Sequence, residues 1–133
     1  MTTSEFTDLA GRVLLGSLFL AGAVQKWVDP LQVEGLLAGW SLPAALVWPA
    51  LVFNAVAGAL LIAGIARRPV ALTLAAYTAL TSFFHLVPGD GWQMSIFVKN
   101  WAIAGGLLVV AGHAPPARGG DTVRGPERET PPR

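Results

Sequence analysis

Apolar residues gather in four long stretches along this chain, over residues 9–28, 44–65, 70–87 and 94–112, separated by short polar turns. Each approaches the roughly 20 residues that a helix needs to cross the hydrocarbon core of a bilayer. Runs of that length predict transmembrane helices, because a spanning segment must satisfy its backbone hydrogen bonds internally once water is gone. Short connections predict antiparallel neighbours. The expected fold is all-α: an integral membrane antiparallel four-helix bundle over residues 1–113, with a short interfacial segment between the first and second helices.

Local signals mark the ends. Thr2 lies three residues before Glu5, the spacing of a capping box that starts the first helix. Asp29-Pro30 stops it, since the residue before proline disfavours helix. Ala21-Gly22-Ala23 resembles a signal-peptide cleavage site. The weak charged region before it, and the further apolar stretches after it, predict an uncleaved span instead. Residues 31–40, interrupted by Glu34 and two glycines, are too short to cross and predict an interfacial or re-entrant piece with Trp40 at headgroup depth. Pro49 is expected to bend the second span, and Arg12 to snorkel to the headgroups. Ala102, Gly105 and Gly106 give the fourth span a small face suited to close helix contact.

Composition sharpens this picture. Hydrophobic residues make up 53% of the 133 and charged residues 13%, well under the quarter usual in soluble domains. Mean hydropathy is +0.56. The formal net charge of +1 gives no field that would select nucleic acid. Cysteine is absent, so any thiol or sulfur chemistry takes its sulfur from a partner or substrate. Residues 114–133 are rich in Pro, Gly, Arg and Glu and predict a disordered tail. Arg12, the Arg67-Arg68 turn and the tail arginines fall on one side of the predicted bundle. By the positive-inside rule both termini are then cytoplasmic.

The polar residues inside the stretches are few and clustered. Lys26 ends the first, His85 ends the third, and Lys99 and Asn100 lie just inside the fourth. In an antiparallel bundle these ends meet at the outer leaflet. Glu34 is placed to pair with a lysine, Asn54 to form a floor deeper in the second span. Thr78, Thr81, Ser82 and His85 follow the i, i+3, i+4, i+7 spacing of one helical face. Ionisable groups at membrane depth mark functional sites more often than chance, because leaving them there is costly. Each also has a plainer reading: snorkelling for the lysines, packing hydrogen bonds for His85, Asn54 and the hydroxyls, interfacial anchoring for the tryptophans. Together, cations, imidazole and amides suit an anionic or carbonyl-bearing ligand, such as a quinone head group, a sulfur oxyanion or a lipid head group. His85 and His113 are expected at opposite faces and so are not paired on a heme, and no side-chain spacing predicts a metal site.

Four segments in order carry a family resemblance. Gly16 through Trp27, followed by Asp29-Pro30, resembles the first-helix signature of the DoxX family. Asn54 through Gly64, followed by Arg67, resembles the second helix, with Asn54 standing where many relatives carry an acidic residue. Phe84-His85 resembles the end of the third, and Phe97-Val98-Lys99-Asn100-Trp101 through Gly106 the fourth. The resemblance implies a four-helix inner-membrane protein. Relatives include the small subunit of thiosulfate:quinone oxidoreductase and a membrane partner that couples a sulfurtransferase to a superoxide dismutase. The leading expectation is thus a subunit associated with quinone-linked sulfur or thiol redox chemistry. Lys26, Glu34, Asn54, His85, Lys99 and Asn100 would form an outer-leaflet cleft for a quinone or small anion, with His85 as proton relay. The competing expectations are a non-enzymatic anchor for a redox enzyme and a lipid-binding or chaperone module. Membrane lipids and a soluble or membrane redox partner are the implied associates, and a homo-oligomer remains open.

Overall fold

The computed structural model describes residues 1–115. The expected tail falls almost wholly on 116–133, outside the described residues. Among the described residues five α-helices run in the order α1 (Thr3–Val28), α2 (Pro30–Gly39), α3 (Val47–Ala63), α4 (Arg67–Ser82) and α5 (Gly91–His113). Short 3₁₀ turns precede α3 at Ala44–Leu46 and follow α4 at Phe83–His85. The fold is an all-helical bundle. Among the described residues three helical segments, Thr3–Val28, Ala44–Ala63 and Gly91–His113, are long and apolar enough to cross a membrane. Helix α4 has 16 residues and begins with two arginines.

The helix ends follow their sequence signals. Thr2 Oγ1 accepts from Glu5 N at 3.2 Å, and Thr2 N donates to Glu5 Oε2 at 2.7 Å, closing the capping box. Helix α1 ends at Asp29 before Pro30, and that proline begins α2, where its missing N–H costs nothing. Gly64 adopts φ +75° and Ile65 N bonds back to Leu60 O at 3.0 Å, a left-handed closure that favours glycine. Asp90 caps α5 by accepting from Trp92 N and Gln93 N at 3.0 and 3.1 Å. Two prolines lie at helix starts. Pro49 is the third residue of α3 and Pro69 the third of α4, so both lie in a first turn, where no intrahelical N–H is needed.

Helix α1 packs chiefly on α3, and α4 on α5. Thinner seams between α3 and α4, and between α1 and α5, close the ring. The core joins Phe19, Ala57, Leu61, Ala71, Leu74, Ala75, Leu107 and Ala111. Helices α1 and α3 approach closely at Gly16 and Gly58: a Cβ on Gly58 would stand 2.9 Å from Gly16 O, and one on Gly16 would stand 2.8 Å from Gly58 O. The small face expected at Gly105 and Gly106 does not make such a contact. Among the described residues a Cβ on Gly105 would have no neighbour within 4 Å, and one on Gly106 would meet only Leu15, at 3.9 Å. The buried face of α5 runs instead through Ala104, Leu107 and Ala111.

Arg12 does not snorkel. It is 6% exposed, on the same face of α1 as Gly16, Phe19 and Ala23. Its guanidinium donates to Leu61 O and Ile62 O at 3.1 and 2.8 Å and pairs with Asp8 at 2.9 Å. Asp8 also takes Arg67 at 3.3 Å. Arg12 thus adds donors to two carbonyls at the end of α3, one of which, Leu61 O, also takes Gly64 N at 3.2 Å, and ties three helices together at that end.

Candidate functional site

The opposite end of the bundle opens into a cavity of about 820 Å³, between the α1–α3 and α4–α5 pairs. Helix α2 lies across it, contributing Gln32, Val33, Leu36 and Leu37 to the lining. Trp40, its C-cap, stacks edge-on against Phe84 with centroids 5.5 Å apart, joining the far end of α2 to the end of α4. The walls are mainly apolar, with Leu18, Phe19, Leu46, Ile96 and Ile103 among them. Four of the five tryptophans, Trp27, Trp40, Trp48 and Trp92, cluster at this end and are well exposed, as interfacial anchors are.

Polar side chains reach the cavity at two depths. Seven residues separate Thr78 from His85 and Gln93 from Asn100, and seven separate the start of α3 at Val47 from Asn54. Seven residues make nearly two full turns, returning to the same face about 10 Å further along. His85 and Gln93 therefore form an outer level, and Thr78, Asn54 and Asn100 an inner one, all lining the same space. At the outer level His85 Nδ1 donates to Gln93 Oε1 at 2.7 Å, since an amide oxygen only accepts. That leaves Nε2 for proton exchange. Gln25 on α1 donates to Gln32 on α2 and joins α2 to the wall.

Lys26 belongs to the inner level despite its position near the end of α1. Its ammonium turns back along the helix and donates to Gly22 O at 3.3 Å. A Cβ on Gly22 would stand 3.1 Å from Asn54 Nδ2 and 3.7 Å from Lys26 Nζ, so the bare glycine makes room for both groups. A lysine this close to a helix end ordinarily extends toward the headgroups. This one is half-buried and directed into the bundle.

Of the residues singled out from the sequence, Lys26, Asn54, His85 and Asn100 line this one cavity. Lys99 and Glu34 do not. Lys99 is exposed, its ammonium 5.7 Å from the centroid of the Trp92 ring. Neighbours on a helix point about 100° apart, so Asn100 facing inward turns Lys99 outward. Glu34 is half-buried on α2, between Val33 and Gly35, which do line the cavity. Thr78 and Thr81 line it as the helical face predicted, whereas Ser82 is fully buried and donates to Ala79 O at 2.6 Å. Sequence reasoning passed over Gln25, Gln32 and Tyr77 as lining residues. Gln93 carried a signal, its two-turn spacing from Asn100.

A family model for DoxX matches residues 7–87, more than half of the chain. The chain is also similar to a protein described as inner membrane protein YqjF of Escherichia coli (strain K12), at 27% identity over 104 residues, covering 77% of this chain and 80% of that relative. No solved structure matches it. The chain belongs to the DoxX family and is a multi-pass inner-membrane protein. The family match takes in α1 to α4 and ends before α5, so the motif at residues 97–106 lies beyond it.

Proposed function

We propose that this protein is a membrane subunit whose cavity binds a quinone, serving quinone-linked sulfur or thiol redox chemistry carried out with a partner protein. One observation carries the reading: a mainly apolar cavity of about 820 Å³ in which a lysine and two amides converge at a single inner level. Small-molecule sites share that plan, with apolar walls for affinity and a few polar groups for orientation. A ring head group with an apolar tail matches it better than a small free oxyanion, which would leave the apolar walls unused. The inward ammonium of Lys26 stabilises negative charge as it builds on a quinone oxygen. His85, held by Gln93, is positioned to exchange a proton between the cavity and the outer surface. The chain has no cysteine, so the reducing electrons come from a sulfur donor on the partner. The arginine distribution orients the cavity toward the extracytoplasmic leaflet, with both termini cytoplasmic.

The test is native mass spectrometry of the full chain taken from its own membrane in mild detergent. Copurified quinone that is lost on Lys26→Met supports the reading. A partner protein without any small molecule points to an anchor, and a bare monomer carrying only phospholipid points to a lipid-binding module. Either of these last two outcomes overturns the quinone reading.

A further inference from the structure

Three seams around the cavity are tied and one is not. Buried Phe19 fills the seam between α1 and α3, where a Cβ on Gly58 would stand 3.2 Å from Phe19 Cβ. Phe53 and Tyr77 meet between α3 and α4, with centroids 4.8 Å apart. Phe83, just past α4, meets Phe97 and Trp101 of α5 at 6.2 and 5.9 Å. Among the described residues no aromatic pair joins α5 to α1 or α2, and α2 does not pack on α5.

The register of α1 against α5 locates the gap. The two helices run antiparallel and meet at Leu15 and Gly106, where a Cβ on the glycine would stand 3.9 Å from the leucine side chain. Both helices rise equally per residue, so each step along one is matched by a step back along the other. Leu18 therefore stands across from Ile103, Gly22 from Asn100, and Gln25 from Ile96. All six of these line the cavity. The helices thus touch at one point and hold the cavity between them from there to the outer end. Leu18 both lines the cavity and is 46% exposed, as a side chain at the lip of an opening is. It lies ten residues before Val28, about 15 Å from the end of α1, which is half the hydrocarbon thickness. Gly22 and Asn100, flanking the gap further out, stand at the level where the Lys26 ammonium lies.

We propose that the ligand enters and leaves the cavity sideways, from the outer leaflet, through this slot between α1 and α5, its apolar tail trailing back between Leu18 and Ile103. This rests on the quinone reading of the cavity. A quinone with an apolar tail is dissolved in the bilayer. Entry through the end that α2 covers would draw the tail out of hydrocarbon, and every methylene exposed to water opposes that route. The slot keeps the tail in hydrocarbon while the head group reaches the inner level directly.

The experiment follows association and release of a decyl-tailed benzoquinone with the full chain in lipid nanodiscs. Leu18→Trp narrows the slot from α1 and should slow both rates about tenfold, more than it changes the affinity, because an overfilled lip raises the barrier to passage and leaves the head-group contacts in place. Ile103→Trp narrows it from α5 and should do the same. Leu14→Trp, one turn below Leu18 on an exposed position outside the cavity, should change neither rate. Circular dichroism checks that each variant remains helical. The unmodified chain supplies a second measurement: the same quinone carrying a diazirine midway along its tail should, on illumination, label α1 and α5 around Leu18 and Ile103. Unchanged rates in both slot variants, or label confined to α2, overturns the sideways route and leaves the quinone reading standing. Absence of quinone binding to the unmodified chain overturns both.

Discussion

Lys26 and Lys99 have the same charge and nearly opposite surroundings, and each is explained by its place on a helix. Lys26 shares its side of α1 with Gly22, one turn earlier, and folds back over that glycine into the cavity. Lys99 stands beside the exposed Trp92. Removing Lys26 as Lys26→Met should weaken quinone binding by tenfold or more, because the charge-assisted contact goes with it. Lys99→Met should leave binding close to the original value. Titrating both variants with the same quinone in nanodiscs checks the pair. Arg12 gives a second residue-scale prediction. Arg12→Met strips two carbonyls and Asp8 of their buried partner and should destabilise the protein by about 2–3 kcal/mol. Equilibrium unfolding in mixed detergent micelles reads that loss directly. Its sequence position, one turn inside an apolar stretch, supports snorkelling and burial equally. The difference lies in which face of α1 meets α3, which only packing sets.

At the scale of elements, glycine has two meanings in this bundle. Gly16 and Gly58 let α1 and α3 touch backbone to backbone, so any side chain at Gly58 pushes the helices apart. Gly58→Val should cost about 2 kcal/mol or more. A Cβ on Gly105 has no neighbour within 4 Å among the described residues, and there Gly105→Ala should be neutral or stabilise by up to about 1 kcal/mol, through helix propensity alone. Thermal denaturation of both variants in one detergent compares them, and equal losses would argue against the Gly16–Gly58 crossing. Both ends of α1 were legible, because caps and breakers are local chemistry: Thr2 with Glu5, and Asp29 before Pro30. The contact partner of each small-residue face was not. Gly16, Gly58 and Gly105 look alike in a sequence, and a neighbour from another helix tells them apart.

Across the whole molecule, polarity is divided between two ends. One end is locked by Asp8, Arg12 and Arg67. The other is opened by the cavity and covered by α2. Helix α4 with its 3₁₀ extension covers roughly 30 Å, from 16 residues at about 1.5 Å and three at about 2 Å, which is the thickness of the hydrocarbon core. It should therefore cross, despite its two leading arginines. Cysteine labelling tests this cleanly, since the chain has no native cysteine. Ile65→Cys should react with a membrane-impermeant maleimide only from the cytoplasmic side, and Val87→Cys only from the outside. Labelling of both from one side would remove α4 as a crossing segment.

Much of this protein is determined by its sequence alone. Apolar runs of bilayer length require helices, because nothing in the hydrocarbon can satisfy an open backbone. Capping residues and prolines set where those helices begin and end, and the two-turn spacings of Thr78 with His85 and Gln93 with Asn100 set which residues share a face. The tertiary structure decided the rest. It turned Lys26 inward and left Lys99 outside, buried Arg12 under the end of α3, and brought Asn54 and Thr78 to the wall of one cavity. Each of these depends on how a helix is rotated against its neighbours. That rotation is fixed by the meeting of two glycines and by the fit of α2 across the open end, contacts between residues distant in sequence.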